Sequence, residues 1–249
     1  MPWDAWVIFL FLAVVVPWRG RARIKKLLAM DHVGRKERIA VYIATIALQW
    51  FLAAVVGWRA WSDGLTASEL GLGSGEPLRT LLASFLGVML VGAFQWMNLR
   101  RVGRLPIEAR GRLQAIAERL LPQDMAERLP FLALAATAGV CEEFLYRGFA
   151  MATLRRAGLV AWEVVAVSSF LFGLAHLYQG RGGLVGTLLV GAVFGTARIA
   201  YHSLIPVALW HGTLDAVAGV AGPRYLLAKP AETGLPSADR SREPLGLLL

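Results

Sequence analysis

The sequence has few of the residues that stabilise a soluble or secreted protein. One cysteine is present, Cys141, so the chain cannot form a disulfide with itself. Acidic residues are scarce, with 17 Asp and Glu against 26 Lys and Arg, and the formal net charge is +9. Charges of either sign are rare within apolar runs of about 20 residues, the length that spans a bilayer. With 57% hydrophobic residues arranged in this way, the sequence excludes an ordinary soluble globule and predicts a polytopic membrane protein.

The apolar runs predict an all-α transmembrane bundle with about seven spans, six to eight being possible, and an amphipathic surface helix. The Gly-x-x-x-Gly spacings at 182–186 and 191–195 predict close helix packing. The predicted spans are roughly 4–18, 39–57, 78–97, 129–151, 161–177, 184–200 and 203–221.

The distribution of basic residues predicts the orientation. Loop 19–38 holds eight Lys and Arg and the stretch 98–128 holds seven, whereas loop 58–79 holds two. Short loops rich in Lys and Arg stay in the cytoplasm, so we expect the N-terminus outside and the C-terminal tail inside. The exceptions are Arg155 and Arg156, which would lie on the outer side. In this setting the basic loops indicate contact with anionic lipid and not with nucleic acid.

These patterns divide the chain into four predicted parts. We expect a three-span unit at 1–97, a basic amphipathic cytoplasmic linker helix at 98–128, a four-span core at 129–222, and a disordered tail at 223–249. The last four spans hold most of the ionisable residues that lie inside apolar runs. Such residues cost about 2.5–3.5 kcal/mol each on insertion scales, so each of them requires a reason.

The first group of these residues is a pair of adjacent glutamates followed by an arginine. Adjacent helix positions diverge by about 100°, so Glu142 and Glu143 cannot share one role. Glu143 and Arg147 are four residues apart, in the order that favours an ion pair. Glu142 is therefore the carboxylate that remains free for chemistry.

The next two spans add histidines. His176 follows Phe172 by four residues, and His211 precedes Asp215 by four on one helical face. A bundle could bring Glu142, His176, His211 and Asp215 around a water-filled cavity. Such a set suits hydrolysis, because a carboxylate can take a proton from water, a histidine can relay it, and the last pair can stabilise an oxyanion.

In this order the three motifs resemble those of the CPBP family of intramembrane glutamic proteases, also called Abi or type II CAAX prenyl endopeptidase-like. The similarity covers about 129–221. It implies that Glu142 is the general base for water, His176 its partner, and His211 with Asp215 the oxyanion-side residues. Glu143, Arg147 and Phe172 would support the site. Eukaryotic prenyl-protein members typically have Asn where this chain has Asp215, which makes a prenylated substrate less certain than hydrolysis.

The resemblance implies an endopeptidase of a bacterial inner membrane that cuts a membrane-anchored or lipid-modified protein, with no metal or other cofactor. Zinc is the alternative cofactor, although the chain has no His-Glu-x-x-His cluster. Two other functions remain open: a non-catalytic immunity or scaffold protein, and a proton-coupled transporter, since intramembrane carboxylates and histidines also form proton relays. The sequence does not identify the substrate or the oligomeric state.

Overall fold

The computed structural model describes residues 3–227, and within them the chain is helical throughout, with no β-strand. Two of the helices contain a π-helical segment, and Leu177–Gln179 form a short 3-10 turn. The all-α prediction is therefore confirmed. The helices are α1 (Trp3–Leu10, Phe11–Val15 and Val16–Leu28), α2 (Arg35–Ser62), α3 (Ala67–Leu70), α4 (Pro77–Gly103), α5 (Ile107–Leu120), α6 (Met125–Glu143, Phe144–Ala150 and Met151–Arg156), α7 (Ala161–Ala175), α8 (Arg181–Tyr201) and α9 (Ile205–Leu226).

Five of the described helices are long and apolar enough to cross a membrane. Helix α7 is apolar but has only 15 residues, and α9 has 22 residues with a less apolar composition. Each predicted span coincides with one helix, while the number of crossings stays a prediction. The five candidate spans are Ala5–Leu28, Arg35–Ser62, Pro77–Gly103, Met125–Arg156 and Arg181–Tyr201.

Small residues let the helices that carry the site approach closely. Helix α9 packs extensively against α4 and α6, and a Cβ on Gly139 of α6 would lie 2.5 Å from the carbonyl oxygen of Ala208 and 2.9 Å from the amide nitrogen of Gly212. Helix α8 packs on α7, where a Cβ on Gly191 would lie 3.1 Å from Ser169. Glycine at these crossings allows the polar side chains of neighbouring helices to reach one another.

The segment between α2 and α4 lies at the same end of the bundle as the end of α6. Arg156 donates hydrogen bonds to both carboxylate oxygens of Glu69, at 2.6 and 2.7 Å, and to the backbone oxygens of Asp63 and Gly64. The hydrogen bonds that Glu69 accepts from Arg156 and from Thr66 lower the pKa of Glu69 to about 2. Arg156, which the charge pattern places on the outer side as an exception, is thus paired with an acidic residue.

At the other end, buried polar contacts join the N-terminal helices to α6. Arg38 of α2 donates to both carboxylate oxygens of the fully buried Glu127, at 2.9 and 2.8 Å. Asp124 starts α6 by accepting from the amides of Ala126 and Glu127. These contacts fix α2 against the helix that carries the adjacent glutamates.

The predicted linker at 98–128 contains the end of α4, all of α5 and the start of α6. Buried Arg110 of α5 donates to the carbonyl oxygens of Gly103 and Tyr225, and so ties α5 to the ends of α4 and α9. The placement of α5 on a membrane surface stays a prediction. Helix α9 ends at Leu226, inside the predicted tail, and residues 228–249 lie outside the described residues. The division into four parts likewise stays a prediction.

Candidate active site

Glu142 has one carboxylate oxygen held by the protein and one without a partner. Gln49, at the middle of α2, donates from Nε2 to Oε1 of Glu142 at 2.6 Å. The other oxygen, Oε2, is buried and has no hydrogen-bond partner, and it lies 4.0 Å from Nε2 of His176. The carboxylate is therefore fixed on one side and has an oxygen without a protein partner on the other.

His176 lies at the C-terminal end of α7, and its ring is oriented by its own helix. Its Nδ1 is 2.9 Å from the carbonyl oxygen of Phe172. Because a carbonyl oxygen only accepts, Nδ1 carries the hydrogen, and in the neutral ring Nε2 then presents a lone pair toward Glu142. A water molecule between the two residues could donate one hydrogen to each.

Glu143 is fully buried and faces a different side of α6 from Glu142. Its Oε1 accepts from Arg147 at 2.9 Å, which is the ion pair expected from the spacing. The same oxygen accepts from Nδ1 of His211 at 2.8 Å. The sequence assigned Glu143 to Arg147 alone, whereas the structure shows that it also fixes the imidazole of the last motif.

Phe172 packs between the charged groups of all three motifs. Its ring centre lies 4.2 Å from the guanidinium carbon of Arg147, 4.5 Å from the ring centre of His176 and 5.7 Å from that of His211. A guanidinium over an aromatic face gains a cation–π attraction, which is strongest when water is excluded, and Arg147 is fully buried. Phe172 therefore separates the two imidazoles and holds both in place.

His211 and Asp215 share one face of α9, as their spacing predicts. Nε2 of His211 is 3.6 Å from Oδ2 of Asp215, which is beyond ordinary hydrogen-bond distance. The contact that fixes the His211 ring is made through Nδ1 with Glu143. Nε2 of His211 and the carboxyl of Asp215 are thus both available to a bound group.

A small cavity of about 50 Å³ lies beside these two residues. One water needs roughly 10–15 Å³ on this measure, so the cavity has room for more than one. Glu142 does not line it but lies next to His176, which does. The cavity walls come from α4, α7, α8 and α9: Phe94, Gln95, Phe172, His176, Gly186, Thr187, Val190, Phe194, His211, Leu214 and Asp215.

The site includes two side chains that the sequence analysis missed, Gln49 and Gln95. Both come from the predicted N-terminal unit, in which no motif was identified. The analysis considered ionisable residues in the apolar runs and passed over uncharged amides, although a buried amide also needs hydrogen-bond partners. A glutamine inside an apolar run was therefore the sequence signal that could have identified both residues.

No group of three or more His, Cys, Asp and Glu side chains in residues 3–227 is arranged to hold a metal ion. Independence from metal stays a prediction that chemistry must test.

Comparison with known proteins assigns the part of the chain that carries all three motifs. Residues 125–217 match the family described as type II CAAX prenyl endopeptidase Rce1-like. This segment therefore belongs to the CPBP family of proteases, as its motifs indicated. No curated protein and no solved structure matches the chain.

The long apolar helices, together with a segment that matches a family of membrane proteases, indicate a multi-pass membrane protein and support peptidase activity in general. The matched family implies, at the level of the family, a membrane-anchored protein as substrate. The family segment contains α6 to most of α9, so α1 to α5 lie outside it.

Proposed function

We propose that this protein is an intramembrane endopeptidase that hydrolyses a peptide bond of a membrane-anchored or lipid-modified protein. The observation that carries the proposal is the unpartnered Oε2 of Glu142, 4.0 Å from Nε2 of His176, beside a cavity that can hold water. The proposed site uses no metal or other cofactor. The membrane is a bacterial inner membrane, and the basic loops contact its anionic lipids.

In the proposed reaction, a water molecule donates one hydrogen bond to Glu142 and one to His176. Glu142 takes the water proton as the oxygen attacks the carbonyl carbon of the scissile peptide bond. Gln49 holds the other oxygen of Glu142, so the carboxylate presents Oε2 without first reorienting. A group held in position in this way needs little reorganisation in the transition state.

The negative charge that develops on the carbonyl oxygen is stabilised from α9. His211 donates to Glu143 through Nδ1, and its protonated Nε2 donates toward the oxyanion together with a neutral Asp215. The tetrahedral intermediate then collapses with cleavage of the carbon–nitrogen bond. Glu142 returns its proton to the departing nitrogen, which leaves as an amine, and the other product is a carboxylic acid.

Replacement of Glu142 by Gln tests the function directly. The change keeps the shape of the side chain and removes the base, so we expect a folded, inserted protein that cleaves nothing. Membrane proteins from cells that lack the protein, express the wild type or express Glu142→Gln are compared for protein termini that appear with the wild type and not in cells without the protein. The matched control is Glu108→Gln, the same change at an exposed position on α5, which should leave those termini at the wild-type level.

The same comparison separates the other two functions. Wild-type-specific termini that persist in Glu142→Gln would show that Glu142 is not the base. If no such termini appear, and Glu142→Gln protects cells as well as the wild type does, the result would indicate an immunity or scaffold protein. Proton flux into vesicles that hold the purified protein would instead indicate a transporter.

A further inference from the structure

Helix α4 contributes one buried polar group to the cavity that the mechanism above does not use. Gln95 is 2% exposed, and its side-chain nitrogen Nε2 has no hydrogen-bond partner although it is fully buried. The residue lines the cavity beside His211 and Asp215. An unsatisfied buried donor costs about 1–3 kcal/mol, so a position that retains one requires an explanation.

The surroundings of Gln95 exclude a role in holding the helices together through that nitrogen. Helix α4 is joined to α9 by other contacts: the indole of Trp210 lies over Gly87 and donates to the carbonyl oxygen of Ala83 at 3.1 Å. Arg110 ties the ends of the same two helices. The Nε2 group of Gln95 adds no hydrogen bond to this packing, and Gln95 lines the cavity beside His211 and Asp215.

The cavity is also the place where a carbonyl oxygen would be received. Glu142, the proposed base, does not line the cavity, and its Oε2 lies 4.0 Å from Nε2 of His176, which does. The proposed reaction therefore uses Glu142 for the water and the cavity for the carbonyl oxygen. Two of the cavity residues, His211 and Asp215, carry the proposed oxyanion interactions. Asp215 donates only when it is protonated, whereas an amide nitrogen donates at any pH.

We propose that Gln95 is a catalytic residue whose Nε2 donates a hydrogen bond to the carbonyl oxygen of the scissile peptide bond, and to the oxyanion formed from it. This inference rests on the proposed function. It means that the active site is completed by a helix outside the family segment, since Gln95 lies on α4 and the match begins at residue 125. The ligand that Gln95 binds is a peptide backbone carbonyl.

The test uses Gln95→Leu and Gln95→Met, which keep the approximate size of the side chain and remove the donor. The readout is the rate at which the full-length variants generate the wild-type-specific protein termini defined under the proposed function. We expect a fall of about 100-fold, the effect of removing one donor to an oxyanion. Thermal unfolding of the purified proteins should show equal or higher stability, because an unsatisfied buried donor is replaced by apolar atoms.

The matched control is Ser84→Ala, another buried polar position on α4, whose hydroxyl donates only to the carbonyl oxygen of Thr80 in its own helix. It should cleave at the wild-type rate. Wild-type cleavage by both Gln95 variants, with Glu142→Gln inactive, would overturn this inference and leave the proposed function intact. Parallel losses of cleavage and thermal stability in both variants would also overturn it, because they indicate a packing role. Cleavage by Glu142→Gln would show that Glu142 is not the base, and an absence of wild-type-specific termini would overturn the proposed function itself.

Discussion

In the proposed mechanism, the protonation of Asp215 decides how the oxyanion is stabilised. An ionised carboxylate cannot donate a hydrogen bond and would repel the negative charge of the tetrahedral intermediate. Either Asp215 is neutral and donates, or it orients His211. The structure favours the first role, because Glu143 already holds Nδ1 of His211 at 2.8 Å while Asp215 is 3.6 Å from Nε2.

We therefore expect Asp215→Asn to keep most of the cleavage activity, since an amide imitates a protonated acid. It should also lose any decline in activity that the wild type shows at mildly alkaline pH. The rate of appearance of the cleaved terminus, measured across pH, checks both points. A loss of about tenfold or more in rate, roughly 1.4 kcal/mol, with normal expression and an unchanged pH profile would favour the orienting role.

At the scale of the helices, the crossing of α6 and α9 at Gly139 determines whether Glu143 reaches His211. We expect Gly139→Ala to abolish cleavage and lower the unfolding temperature, because the added Cβ would lie 2.5 Å from the carbonyl oxygen of Ala208. Inserting a methyl group into a tight contact of this kind costs about 1–3 kcal/mol. Thermal unfolding and the terminus assay measure the two effects.

The control for this crossing is Gly92→Ala on α4, which faces the same helix. There a Cβ would meet Thr213 at 3.5 Å, an ordinary van der Waals contact. This variant should behave as the wild type. If both substitutions reduced cleavage and the unfolding temperature equally, the site would require glycine in the helix as such, and not the close approach at Gly139.

The Glu69–Arg156 pair makes the end of the bundle sensitive to acid. The pKa of Glu69 is lowered to about 2 by its hydrogen bonds with Arg156 and Thr66, from an ordinary value of 4.5. A lowered pKa in the folded state contributes stability above the ordinary value and loses it as the pH falls from about 4.5 to about 2. We expect the unfolding temperature of Glu69→Gln to decline less across this interval than that of the wild type. Identical declines in Glu69→Gln, in the Glu108→Gln control and in the wild type would contradict this role.

At the scale of the whole molecule, the charge pattern makes a prediction about topology. Tags at residue 28 and at the C-terminus should be accessible only from the cytoplasm, and a tag near residue 66 only from outside. Labelling of intact cells and of inverted membrane vesicles measures this. A tag at residue 66 that is protected in intact cells and labelled in inverted vesicles would show that the orientation is reversed.

The sequence predicted the local features of this molecule better than the contacts between its halves. Apolar runs located the helices, and residues four apart on one helix, such as Glu143 with Arg147, identified an ion pair from spacing alone. The hydrogen bond from Gln49 to Glu142 joins residues 93 positions apart, and no periodicity reports such a contact. The second partner of Glu143 was missed for the same reason, since it depends on how closely α6 and α9 cross.

The size of the cavity beside His211 has a consequence for selectivity. At about 50 Å³ it is several times smaller than the roughly 300 Å³ at which sites for small organic molecules begin, so it admits water but no polypeptide. A polypeptide needs more room than this cavity offers, so a substrate can be cut only in an open state in which the surrounding helices have moved apart. The apparent affinity for any substrate is its intrinsic affinity multiplied by the fraction of protein molecules in the open state. Membrane proteins that do not stabilise the open state are then not cleaved, and the substrates are those polypeptides that do stabilise it.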